Sequence, residues 1–192
     1  MISYPMRKVI EETLITKGSH VLDLGAGKGE EIIDCVKNNI FVDAFEPHPL
    51  IFKILQKKFN NIPTVTLHNQ AAWTENGTGR LYAKNSRKEK NGGATLIRYK
   101  NNVSKKRSIT VETIDLAEYI LKLDYLIDVL KIDIEGAEYI ILRHLYEKNV
   151  LSKIKHIYLE DHSRKIANKN WIQNKNEVLK FYEHANMSLR LW

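Results

Sequence analysis

A single cysteine, Cys35, is all the thiol chemistry in this chain of 192 residues. One thiol excludes an intrachain disulfide framework and any multi-cysteine metal site, and it suits a reducing compartment. Long apolar runs are missing as well. No stretch approaches the roughly 20 apolar residues of a membrane span. The first residues, "MISYPMRKVIEETLITKG", place Arg7, Lys8, Glu11 and Glu12 where a signal peptide would be apolar. A soluble, cytoplasmic protein is expected. Repeats, heptads and low-complexity linkers are absent too, and a chain this short is expected to be one domain, residues 1–192. Negative charge is in deficit, 23 acidic against 30 basic residues for a net charge of +7. That invites a nucleic-acid partner. The basic residues are nevertheless spread along the chain, with local density only at 84–90 and 105–107, and abundant Lys and Asn also follow from AT-rich coding.

What is present has an alternating rhythm. "HVLDL" (20–24) is an apolar run that ends at Gly25, a buried strand entering a tight turn. "EEIIDCVKNN" follows as a helix with Glu30 and Glu31 in its first turn. "IFVDAFE" (40–46) is a second strand. Pro49 opens a second helix, 49–59, with Ile51, Leu55 and Phe59 at helical spacing. "TVTLHN" (64–69) is a third strand. Strand and helix in alternation predict an α/β fold with a parallel sheet. The stretch 74–115 breaks the rhythm. "GRLYAK", "ATLIRYK" and "SITVETI" read as short strands between Lys-, Asn- and Gly-rich loops. The alternation then resumes with a helix at 116–123, a strand at 127–133, a helix at 136–148, a strand at 156–160, the helix "NEVLKFYEHA" and the strand "MSLRLW". The chain thus divides into 18–73, a lysine-rich insertion 74–115, and 116–192.

Two stretches carry chemistry. "VLDLGAGKGE" sets Gly25, Gly27 and Gly29 between a strand and a helix, where glycine lets a ligand approach the main chain. Glu46 ends the next strand, 46 − 25 = 21 residues on, a spacing suited to an acid that accepts hydrogen bonds from two ribose hydroxyls. A nicotinamide dinucleotide and S-adenosylmethionine both meet that description. The spacing is GxGxG, however, and Glu30 would sit badly beside a pyrophosphate, which S-adenosylmethionine lacks. No GK[ST] follows, so this is not a Walker loop. A plain tight turn is the bland alternative. The second stretch, "LKIDIEGAEYIIL" (130–142), loads Lys131, Asp133, Glu135 and Glu138 into an apolar segment, although burying a charge costs several kcal/mol unless it is paired.

With these residues in view, the chain resembles the FkbM-type S-adenosylmethionine-dependent methyltransferases over about residues 18–190. "LDLGAGKGE" and "AFEPHP" are similar to the family's first motif and its Glu-Pro motif. "HNQAAW" with "ENGTG", then "GGATL" and "VETID", resemble further signatures. "LKIDIEGAE" is the most specific match, and "YLEDH" resembles the closing Glu-x-His. The loop departs in reading Gly-Ala-Gly where the family often has Gly-Ala-Asn. The helix after "EGAE" has "LRHL" in place of a glycine near its end. One strand follows the last helix where the fold usually adds two. The resemblance implies a Rossmann-like class I methyltransferase fold, a mostly parallel twisted sheet with helices on both faces, shortened at the C-terminal strand edge. It also implies roles. Gly25, Ala26 and Gly27 would wrap the methionine and ribose, with Asp23 below. Glu46 beside Pro47 would bind the ribose hydroxyls, and Asn69, Gln70 and Ala71 would border the adenine. Asp133, Glu135, Glu160 and His162 would surround the point of methyl transfer. The family methylates mostly hydroxyl oxygens of sugars, glycolipids and small metabolites.

An alcohol must lose its proton during such a transfer, so a base or a metal is needed. His162 is the best single base candidate, with an ordinary pKa of roughly 6.5. Asp133 is the alternative, or would hold the donor's amino group. Asp23, Asp133 and Glu160 each fall near a strand end, where ligands bind in open parallel sheets. Asp133, Glu160 and His162 could ligate a metal, although nothing in the spacing demands one. Lys131, Asp133 and Glu135 would share a face if the strand runs on to 135, with Glu135 and Lys131 toward the acceptor. Lys131 is expected to be mainly structural and Asp133 mainly functional. The loops at 84–91 and 99–107 could border the acceptor site, though solvated loops are the commoner case. Trp73, Trp171 and Trp192 could stack on a sugar, with core packing as the default. The acceptor is expected to be a hydroxyl-bearing small molecule or glycan. The other readings are a nucleic-acid ribose O-methyltransferase and a non-catalytic cofactor-binding module. The Asn-Pro-Pro-aromatic and Asp-Pro-Pro-aromatic tetrapeptides of amino-methylating enzymes are absent.

Overall fold

The structure is a computed structural model that describes residues 5–12, 14–84, 93–166 and 168–191. Its frame is a six-stranded sheet of β1 (His20–Leu24), β2 (Phe41–Phe45), β3 (Val65–His68), β7 (Ile127–Ile132), β8 (Ile154–Leu159) and β9 (Leu189–Leu191). The order is β3-β2-β1-β7-β8-β9 and every pairing is parallel. Strand order reverses between β1 and β7, the switch point at which open α/β sheets bind ligands.

Alternation along the strands decides the two faces. Leu22, Leu24, Leu130 and Ile132 pack with Leu116, Ala117 and Ile120 of α4 (Leu116–Lys122), with Tyr139, Ile141, Leu142 and Leu145 of α5 (Glu138–Glu147), and with Val178 and Tyr182 of α6 (Lys169–His184). Val21, Val42, Ala44 and Val129 pack on the other face with Met6 and Val9 of α1 (Pro5–Glu11), Ile32 and Cys35 of α2 (Glu30–Lys37), and Phe52, Leu55 and Phe59 of α3 (Pro49–Phe59). Asp23 and Lys131 share the parity of Val21 and Val129, so they point to this second face, where each is the other's register partner.

A smaller sheet, ordered β4-β6-β5, is built from β4 (Ala71–Trp73), β5 (Gly77–Lys84) and β6 (Val103–Asp115). It takes its first strand from Ala71, three residues before the stretch whose rhythm breaks. The expected strand at 94–100 is not one. Thr95 makes a single bridge to Tyr82, and Lys100 a single bridge to Ile166. The segment crosses from the edge of β5 to the turn after β8. Ala94 and Leu96 pack with Ala71 and Leu81, while Ile97 packs with Ala137 and Ile166. These residues form a strap between the two sheets, and a strap that changes neighbours cannot keep one ladder. The strand expected at 127–133 stops at Ile132, and the helix expected from 136 starts at Glu138. α1 and β4 were not anticipated from the sequence. Trp192 and residues 85–91 of the lysine-rich loop lie outside the described residues. No described helix is long and apolar enough to cross a membrane.

Candidate active site

The glycine turn is dictated by close approach. Gly25 has φ 82°, and a Cβ there would lie 1.8 Å from the carbonyl oxygen of Asp133. The Asp133 amide donates to Leu24 O at 3.0 Å, so the ends of β1 and β7 abut with no room for a side chain between them. The amides of Gly25 and Ala26 both donate to Phe45 O, which fixes the turn against the end of β2. Gly27, at φ 56°, donates its amide to Glu46 Oε2 at 3.0 Å, and His48 donates to Oε1 at 2.8 Å. Glu46 is buried, and burial pushes its carboxyl up to about 7 despite those two donors. Asn69 stands behind this turn. Its Nδ2 donates to the carbonyls of Glu46 (2.8 Å) and Pro47 (3.2 Å).

Below the turn lies a buried charge network. Lys131 Nζ is 2.9 Å from Asp23 Oδ1 and 3.8 Å from Asp133 Oδ2, and it donates to Gly25 O at 3.1 Å. Burial would discharge this ammonium, but Asp23, Asp133 and Glu31 outweigh it and hold it charged. Burial raises Asp133 to about 6, with Lys131 opposing. It likewise raises Glu31 of α2 to about 7.

Glu135 does not share the face of Lys131. The strand has ended at Ile132, and Glu135 adopts φ 58°, a left-handed turn that carries its side chain toward His162 and Lys100. His162 is buried. Its Nδ1 lies 2.9 Å from Glu138 Oε1, and its Nε2 lies 3.3 Å from Glu160 Oε1 and 3.4 Å from Glu135 Oε2. Burial opposes protonation of the ring, but the carboxylates prevail and lift its pKa to about 10. The expected role of His162 as general base meets a physical objection here, because an imidazolium accepts no proton. Glu138, fully buried, also receives the Gly136 amide at 2.9 Å and so braces both the turn and His162.

One cavity of about 240 Å³ joins these parts. Gly25, Gly27, Glu46 and Pro47 line one end, Gln70 and Ala71 a side, Gly93–Leu96 of the strap another, and Asp133 and Glu135 the floor. Of the other residues singled out from the sequence, Asp23, Ala26, Asn69 and Lys131 support these walls, and Glu160 and His162 lie behind Glu135. Asp133, Glu135 and His162 each bring one possible metal-ligand atom within 4.8 Å of the others, a set with Glu135 where the sequence suggested Glu160. Trp73 and Trp171 pack against the apolar cluster of Ile97, Ala137 and Ile166. Lys100 and the strap went unnoticed in the sequence. Lys100 is one lysine among many there, and only tertiary contact sets it apart.

A parallel sheet with helices on both faces, and a glycine turn beside an acidic side chain at its switch point, defines a Rossmann-like α/β fold. The Methyltransferase FkbM domain model matches residues 23–189, and the chain belongs to that family of S-adenosylmethionine-dependent methyltransferases. No curated protein sequence matches it. Among solved structures it is similar to a TehB-like SAM-dependent methyltransferase from Corynebacterium glutamicum (11% identity, 91% of this chain and 72% of that one, TM-score 0.45). A provisionally assigned rRNA methylase from Clostridium thermocellum is similar at 13% identity (95% and 81%, TM-score 0.45). Precorrin 8w decarboxylase from Methanobacterium thermoautotrophicum is similar at 16% identity (77% and 58%, TM-score 0.40). The family assignment rests on the match over residues 23–189, not on these structures.

Proposed function

We propose that this methyltransferase acts on a hydroxyl oxygen of a sugar, glycolipid or small metabolite. The observation that carries the reading is one cavity lined at one end by Gly25, Gly27 and Glu46, which would take the nucleoside, and on its floor by the carboxylates of Asp133 and Glu135. The residues suit S-adenosylmethionine. Gly27, in the cavity wall, leaves open space where a Cβ would stand and so admits close approach to the backbone, and each Glu46 oxygen has a lone pair beyond the amide it already accepts. The carboxylates of the floor favour a cation.

The cofactor supplies a sulfonium methyl already activated for in-line displacement. The chain's task is then alignment, worth roughly 7–11 kcal/mol when good, and removal of the hydroxyl proton. Glu46 would hold the ribose diol, and Gln70 and Ala71 would border the base. Asp133 is the better proton acceptor. It lines the cavity, and a carboxyl raised to about 6 is mostly ionised near neutral pH while still basic enough to take a proton. His162, held as imidazolium, would orient Glu135 and Glu160 around the acceptor.

The experiment is incubation of labelled S-adenosylmethionine with sugars, glycolipids and RNA, with and without chelator. Label in an alkali-stable methyl ether of a glycan supports the reading, and label in RNA alone contradicts it. The exposed run Lys105, Lys106 and Arg107 on β6 favours a second reading, ribose O-methylation, which requires RNA binding that weakens steeply with salt.

A further inference from the structure

Methyl transfer as proposed above leaves one buried cation without a task. Lys100 ends the strap, and its side chain is wholly buried. Its Nζ donates to Glu135 Oε2. The backbone beside it is tied down by the bridge to Ile166 and by the Asn101 amide, which donates to Lys165 O at 2.9 Å. Packing does not call for a lysine here, because Ile97 already anchors the strap on Ala137 and Ile166. A buried ammonium persists only where a carboxylate compensates it. Glu135 Oε2 therefore sits between two cations, Lys100 and His162, the latter at 3.4 Å. The other oxygen, Oε1, lies on the side of Gly93, in the cavity wall.

Asp133, Glu135 and His162 have the spacing of a divalent-cation site. An ion on Glu135 Oε2 would have to displace the Lys100 ammonium, and one on Oε1 would share the carboxylate with it. Either ion would also need a ring nitrogen of His162, whose Nδ1 and Nε2 both already face carboxylates. We propose that Lys100 is the built-in cation of the acceptor side, standing where a divalent ion would otherwise bind and fixing Glu135 so that Oε1 faces the acceptor. Lys100 is thus a positioning residue, and the carboxylate cluster needs no metal while it is in place. The acceptor-facing part of this inference rests on the proposed function, but its test needs no acceptor.

The test is a Mn²⁺ titration followed by electron paramagnetic resonance on protein loaded with S-adenosylhomocysteine at pH 7.5. The wild type is expected to bind no stoichiometric Mn²⁺ below the millimolar range. Lys100→Met, which leaves His162 as the remaining cationic partner of Glu135 described above, is expected to bind one Mn²⁺ at least about tenfold more tightly. Adding Glu135→Gln should abolish that gain, and Lys100→Arg should behave as wild type. Micromolar, one-to-one Mn²⁺ binding by the wild type that Glu135→Gln removes would overturn the proposal, and this arm stands even if Lys100→Met does not fold. So would a folded Lys100→Met protein that binds Mn²⁺ no better than wild type. Failure of the wild type to bind S-adenosylhomocysteine by calorimetry would instead count against the cofactor site, a separate result.

Discussion

Glu46 and His162 show how burial gives a residue its task. Glu46 is committed to two backbone amides, and the proposed function gives it the ribose diol. Replacing it with Ala removes charge-assisted hydrogen bonds worth about 1.5–3 kcal/mol each, so affinity for S-adenosylhomocysteine in calorimetry should fall at least about tenfold. Because burial raises Glu46 to about 7 and Asp133 to about 6, both gain charge between pH 6 and 8. Affinity for S-adenosylmethionine, a cation, should therefore climb over that interval, and Glu46→Gln should flatten the climb. His162 bears on stability instead. A pKa raised from 6.5 to about 10 contributes stability that is complete below 6.5 and is lost as pH rises through about 10. Thermal unfolding should show the wild type weakening across pH 7–10 and His162→Gln losing that slope. Glu46 and the glycines were legible in the sequence because the motif that marks them is local. The protonation of His162 was not, because it depends on Glu135, Glu138 and Glu160, which meet only after folding.

The elements that make the site are the ends of β1 and β7 and the strap. Alternation and turn chemistry made the two strands readable, since Leu22, Leu24, Leu130 and Ile132 share one buried face. The point where β7 stops was less readable. The left-handed conformation of Glu135 is not one a non-glycine residue signals in advance, and it separates Glu135 from Lys131. At the junction itself, Gly25→Ala would drive a Cβ into the Asp133 carbonyl. A destabilisation of about 3 kcal/mol or more, beyond the usual range for a point substitution, should appear in denaturant unfolding, together with loss of cofactor binding. The strap misled strand prediction because "ATLIRYK" alternates like a strand while its backbone finds single bridges on two different partners.

Over the whole molecule, the alternation of strands and helices correctly implied an α/β fold with a parallel sheet, and the family resemblance correctly implied helices on both faces. The pairing of β4 and β5 with β6 in a separate sheet was outside its reach, since three-residue β4 carries almost no periodic signal. The net charge of +7 does not describe the cavity, whose floor is acidic. Whole-chain basicity and site chemistry thus point to different partners, and the site is the better guide to the ligand. The central proposal is one adenosine-ligand site at the β1/β7 switch point. Calorimetric titration of S-adenosylhomocysteine into the wild-type protein tests it most directly. One equivalent bound per chain is predicted, and no saturable heat would contradict it.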